Sequence, residues 1–189
     1  KKDAKQTYSR VMTLFVAFTW FIFLLVMLYL NIFKYFIGEA FWQGLRIVPI
    51  ILAAKLFLGI FYNLSVWYKL TNKTLYGAII AIIAGIITIV LNVIFIPIYG
   101  YMGSAWVNFA TYFIIIIISY LWGRKIYPIT YEFRKILVYT VMAAMIYFAA
   151  TSFFDFKGAI HYVFVTLLLI VYVLFVAIIE YKSKKPVRH

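Results

Sequence analysis

The sequence predicts an all-α integral membrane protein, a bundle of about six antiparallel transmembrane helices. Three observations carry that expectation. The 189 residues are 67% hydrophobic and 12% charged, with a mean hydropathy of +1.03, whereas soluble domains are roughly half apolar and about a quarter charged. The apolar residues fall into six long runs joined by short polar links. The lysines and arginines gather in those links and at the two ends.

A helix crosses a bilayer with about 20 predominantly apolar residues, because the hydrocarbon layer is about 30 Å thick. The runs that satisfy this cover residues 11–33, 47–68, 76–98, 104–122, 136–153 and 159–181. β-Branched stretches such as Ile114–Ile118 would favour strands in water. In lipid the backbone has to satisfy its own hydrogen bonds, so helix prevails. Barrel strands would alternate polar and apolar residues, and these runs do not. The links are short, LTNKTL after the second run and YGYMG after the third, and so bring consecutive helices together as antiparallel neighbours. Residues 1–10, KKDAKQTYSR, read as a basic cytoplasmic segment, a loop of a longer chain with no signal-peptide core. Residues 182–189 read as a basic cytoplasmic tail.

Orientation follows from the excess of positive charge on cytoplasmic loops. Lys1, Lys2, Lys5 and Arg10 fall on one side, with Lys69, Lys73, Arg124, Lys125, Arg134, Lys135, Lys182, Lys184, Lys185 and Arg188. The other side receives Lys34, Arg46 and Lys157, partly offset by Glu39 and Asp155. Both ends of the chain are therefore expected in the cytoplasm, which requires an even number of crossings. Tyr and Trp crowd the boundaries, for example Tyr35, Trp42, Trp67 and Trp122, where headgroup-level anchoring explains them.

Several function classes find no support. The net charge of +13 is dispersed as juxtamembrane clusters rather than a basic stripe, so nucleic acid is not an expected partner. With no cysteine, disulfides, thiolate metal sites and cysteine nucleophiles are excluded. No metalloprotease or nucleophile-elbow motif occurs, the two histidines are far apart, and the acids fall in tails, loops or helix ends. No catalytic residue, metal or cofactor is expected.

Lys55 is the most informative position. It lies about nine residues inside the second run, on the order of 13 Å from the helix end, and an ionisable group at such depth faces a cavity, a partner or a headgroup. The alternative is a lysine that snorkels along a tilted helix. Helical spacing puts Gly59 and Tyr62 on its face, with Asn63 close by and Arg46 at the mouth of the same helix. Such a cationic, hydrogen-bonding face suits a phosphate-bearing ligand. Pro49 either starts this helix or bends it. Gly77, Ala81 and Gly85 form a small-residue face for helix packing. Asn92 and Asn108 are expected to bond to helices rather than substrate.

The run Asn92–Ala105, NVIFIPIYGYMGSA, resembles the Asn-x-x-x-(Ile/Leu)-Pro-x-x-Gly-x-x-Gly-(Ala/Ser)-Ala signature of polysaccharide biosynthesis proteins in the multidrug/oligosaccharidyl-lipid/polysaccharide exporter superfamily. In physical terms Pro97 ends a helix, Gly100 permits a strained turn, and Gly103, Ser104 and Ala105 allow close packing. Residues 42–76 are similar to the corresponding helix and loop of Wzx-like O-antigen and capsule flippases, and the pattern extends over essentially the whole chain. The resemblance implies the C-terminal portion of a twelve- to fourteen-helix, two-lobed transporter of the bacterial inner membrane. It implies translocation of an undecaprenyl-pyrophosphate-linked oligosaccharide by alternating access, with membrane phospholipids and the remaining helices of the parent transporter as partners. Lys55 and Arg46 are the cations expected to meet the pyrophosphate; for Lys55 this rests on depth and not on a family motif.

Competing expectations are a multidrug or cation antiporter of the same superfamily, which needs carboxylates within the bundle, and a membrane assembly subunit without transport. A membrane-embedded transferase would show clustered His, Asp or Glu near the interface.

Overall fold

The computed structural model describes residues 2–152 and 159–184. Lys1, Asp155, Lys157, the last residue of the fifth expected span and residues 185–189 of the basic tail lie outside the described residues. Among the described residues all regular structure is helical: α1 (Lys2–Leu28), α2 (Leu30–Phe33), two 3₁₀ segments (Lys34–Phe36 and Glu39–Ile47), α3 (Val48–Leu64), α4 (Val66–Leu70), α5 (Thr74–Ile126), α6 (Phe133–Ser152) and α7 (Ala159–Lys184). Five stretches, Asp3–Leu28, Glu39–Leu70, Thr74–Ile126, Phe133–Thr151 and Ile160–Ser183, are long and apolar enough to cross a membrane. The chain is a multi-pass membrane protein by that measure.

Helix α1 begins well before its expected start. Residues 2–10 were expected as a basic loop, but they contain Ala, Lys, Gln and Arg, all good helix formers, and neither Gly nor Pro. Asp3 stands in the first turn, where the helix dipole favours an acid, and the Thr7 hydroxyl donates to the Asp3 carbonyl at 2.9 Å. Helix α3 begins with Pro49 in its first turn, a position that needs no N–H, so this proline starts the helix and does not bend it. The second span is interrupted at Ser65, whose hydroxyl donates to the Tyr62 carbonyl at 2.6 Å.

The largest departure from six separate spans is α5, at 53 residues. Drawn straight it would be about 80 Å long, more than twice the hydrocarbon thickness. It is instead a hairpin. Gly100 alone is non-helical (φ 57°, ψ −141°). The Thr88 and Thr111 hydroxyl oxygens lie 3.3 Å apart across it, and the rings of Tyr76 and Trp122 are 5.3 Å apart. Arms 74–99 and 101–126 therefore run antiparallel, each about 39 Å long and sufficient for one crossing. Pro97 does not end the first arm, which continues helically through it; the break falls at Gly100, the residue without a Cβ.

The chain divides into two compact units. The first holds residues 1–15 and 43–132. In it α3 lies along arm 101–126 in the same direction: Phe57 meets Phe109 and Phe113, and farther along Trp67 Nε1 donates to Ser119 Oγ at 3.2 Å. The buried face of that arm repeats every fourth residue, Gly103, Val107, Thr111, Ile115, Ser119 and Gly123. A Cβ at Gly123 would lie 2.7 Å from the Trp67 ring.

The second unit holds residues 16–42 and 133–189. Here residues 16–28 of α1 run parallel to α6, through the Trp20 indole donating to Thr140 at 3.0 Å and the Phe23–Tyr147 ring contact. They run antiparallel to α7, through Tyr172 donating to the Ala17 carbonyl at 3.0 Å and Tyr29 bonding Thr166 at 2.6 Å. Near the start of α6 and the end of α7, Glu180 accepts from Tyr139 at 2.8 Å and pairs with Lys135 at 3.6 Å.

Three substitutions test this packing. Gly100→Val places a β-branched side chain at a positive φ, at a cost of about 1–3 kcal/mol, and should lower the unfolding midpoint in detergent. Gly123→Leu should destabilise the protein more than Ser119→Ala. The first displaces a buried indole; the second removes one hydrogen bond of about 1 kcal/mol. Thermal unfolding followed by circular dichroism measures all three.

Candidate functional site: the cation of the α3 helix

In α3, Ala54 and Leu56 are buried while Lys55 between them is exposed. Its ammonium stands 5.9 Å from the centroid of the Tyr112 ring. Tyr112 lies near the middle of arm 101–126, on the order of 18 Å along the helix from the Gly100 turn. Lys55 is thus set beside the middle of a second helix, and its position does not rest only on counting from its own helix end.

An exposed ammonium beside an aromatic ring gains about 0.5–1 kcal/mol, and the Tyr112 ring is half-buried. A lysine at the centre of a membrane helix costs about 3 kcal/mol even on the lenient insertion scale. The tyrosine therefore offsets only part of the cost, and among the described residues no carboxylate pairs with Lys55. What remains is an exposed ammonium suited to a charge-assisted hydrogen bond with an anionic group such as phosphate.

The other residues expected around Lys55 divide. Tyr62, two turns on, is 59% exposed and its hydroxyl can serve a ligand on the same flank. Gly59 is not open: the Phe15 ring lies directly over it. The Asn63 amide donates to the Gly59 carbonyl at 3.0 Å, which commits that donor to its own helix. Arg46 is exposed in the last turn of the 3₁₀ segment, nine positions before Lys55, or on the order of 13 Å along the axis. Among the described residues no contact joins the two. Tyr112 was not singled out from sequence, because only the tertiary fold places an interior tyrosine of one apolar run beside the lysine of another.

The signature residues build the hairpin. A Cβ on Gly103 would meet the Phe95 carbonyl oxygen at 2.5 Å, so this position has to be glycine for the arms to close. The Asn108 amide donates to the Ser104 carbonyl at 3.0 Å. Asn92 Oδ1 is buried without a hydrogen-bond partner among the described residues. The small-residue face assigned to Gly77, Ala81 and Gly85 is only partly used. Gly77 receives the Tyr68 ring, but Ala81 is exposed and nothing lies within 4 Å of a Cβ at Gly85. Helix packing runs instead along the four-residue repeat from Gly103 to Gly123, in which glycines and short hydroxyl residues are interspersed with Val107 and Ile115.

A second polar locus lies at the far end of the same arm. Trp67, Ser119, Gly123, Arg124 and Tyr131 line a shallow hollow, and the Lys5 ammonium sits 4.5 Å over the Tyr127 ring. The Tyr131 phenol, in the link between α5 and α6, is pushed up to about 12 by burial and, secondarily, by neighbouring Tyr120. A phenol whose pKa is higher folded than unfolded contributes stability that is complete below its ordinary value of 10.0 and is lost as pH rises through its folded value. Tyr131→Phe should accordingly flatten the alkaline fall in the detergent melting temperature between about pH 10 and pH 12. No group of three or more metal-ligating side chains occurs among the described residues.

Comparison with protein-family models, with curated proteins and with solved structures finds no match.

Proposed function

We propose that these residues form a six-crossing part of a transporter that carries an undecaprenyl-pyrophosphate-linked oligosaccharide from the cytoplasmic leaflet of the bacterial inner membrane to the other, for surface polysaccharide synthesis. The observation that supports this most is the mid-depth ammonium of Lys55, exposed beside Tyr112 without an acidic partner among the described residues. A diphosphate linked to a polyprenol is an anion that has to pass the middle of a membrane, and a lysine at that level lowers the cost of its passage. The hairpin supplies the remaining support. Counting arms 74–99 and 101–126 as separate crossings makes the number even, as the expected placement of both basic ends in the cytoplasm requires.

On this reading Lys55 meets the diphosphate, Tyr62 offers a hydrogen bond on the same flank, and the arms 74–99 and 101–126 act as one rigid element. The described acids, Asp3, Glu39, Glu132 and Glu180, stand at helix ends or in links, which gives a cation antiporter little to coordinate with.

The intact protein, reconstituted in vesicles with its native lipid-linked glycan, should move the glycan between leaflets, scored by access of an impermeant lectin. Lys55→Ala should slow this about tenfold or more, the scale of one lost hydrogen bond to a charged group, while Lys55→Arg keeps most of the rate. Equal rates for wild type and both variants would remove the role of Lys55, and no movement at all would remove the transport reading.

A further inference from the structure

The segment between α2 and α3 is folded by its own bonds. Its first 3₁₀ turn closes through Ile37 N–H donating to the Lys34 carbonyl at 3.0 Å, and a second turn through Phe41 N–H donating to Gly38 at 2.9 Å. The Trp42 indole then reaches back and donates to the carbonyls of Lys34 and Ile37 at 3.2 and 3.1 Å. This places the Lys34 ammonium 5.2 Å from the Trp42 ring centroid and 5.6 Å from that of Tyr35.

The turn faces its large apolar side chains outward. Tyr35, Phe36 and Phe41 are 74%, 84% and 71% exposed, in a segment held in a defined shape and not a loose coil. It lies between the candidate membrane spans Asp3–Leu28 and Glu39–Leu70 and overlaps the first residues of the second; at 32 residues that span is longer than the roughly 20 a crossing needs, which leaves its start at the boundary between headgroups and acyl chains. Two charges lie in it, Lys34 and the exposed Glu39, and among the described residues neither forms an ion pair. An ammonium flanked by aromatic faces with protruding phenyl rings is the chemistry of an interfacial anchor, in which rings enter the acyl boundary and the cation stays at phosphate level.

We infer that residues 34–42 form a preformed lipid-surface anchor that sinks Phe36 and Phe41 into the bilayer boundary, with Lys34 among the lipid phosphates. The occupant is the membrane itself and not a protein. The anchor rests on the membrane-spanning reading and is independent of what the protein transports.

The absence of cysteine makes the test direct. Single nitroxide labels are introduced through Phe36→Cys and Phe41→Cys in the intact protein, with any cysteine outside these residues replaced by serine. A third label at Ile86→Cys, on the exposed side of arm 74–99, serves as a hydrocarbon reference. The protein is reconstituted in phosphatidylethanolamine/phosphatidylglycerol vesicles. Collisions with oxygen and with a water-soluble nickel complex then give each label's depth. Both loop labels should lie about 5–10 Å below the headgroups, shallower than the label at residue 86. Loop labels as open to nickel as a free nitroxide in solution would overturn the anchor, and so would labels shielded from both reagents, which would signal a protein cover. Nickel reaching the label at residue 86 as well would overturn the membrane reading along with it.

Discussion

Peptide groups inside hydrocarbon have no water to turn to, and every element of this chain answers to that constraint. Isoleucine runs that would pair as strands in water are helical in arm 101–126 because an α-helix alone closes its N–H and C=O groups within one segment. The same constraint limits where the backbone can leave the helical path. At Gly100 one residue is non-helical between two arms, so few peptide groups go without helical partners. The reversal is possible because glycine tolerates the positive φ, and because Gly103 lets the arms close to backbone contact just after the turn.

With the backbone satisfied locally, the helices are joined by side chains. Lipid tails remove the hydrophobic drive that pulls soluble helices together, leaving dispersion contacts and interhelical hydrogen bonds. The bonds here come from hydroxyl and indole groups on otherwise apolar faces: Trp67 to Ser119, Thr88 to Thr111, Trp20 to Thr140, Tyr172 to the Ala17 carbonyl. Each is neutral, and each is spaced along a pair of helices so that it fixes their register. The ionic group Lys135–Glu180, with Tyr139 as a third member, sits near helix ends, where charge is cheaper to hold than at the centre.

The sequence makes the helical class, the number of apolar runs and the sharp reversal near Gly100 readable, because each depends on local composition. Residues 2–10 mislead because polarity suggests a link, whereas helix propensity and the Asp3 start extend α1 through them. Pro97 misleads because a proline removes one hydrogen bond but does not by itself reverse the chain. Among the candidate residues, the place of Lys55 well inside its apolar run is legible from counting, and its neighbour Tyr112 is not, since 57 positions separate them and only the course of the hairpin brings them together. Gly59 shares a helical stripe with Lys55 and Asn63 lies close to it, yet the Phe15 ring covers the first and the Gly59 carbonyl engages the second, and spacing on one helix cannot reveal what a second helix covers.

The one-residue connection at Gly100 also bears on how the chain enters its membrane. Arms 74–99 and 101–126 have no charged linker between them that could be held on the far side of the insertion channel while the second arm is still being synthesised. A helical hairpin, closed by Gly103 and the two threonines, is the form in which such a pair can leave that channel as one unit. Orientation signals for both arms then come from the lysines and arginines that flank the hairpin at its open end, Lys69 and Lys73 before it and Arg124 and Lys125 at its close.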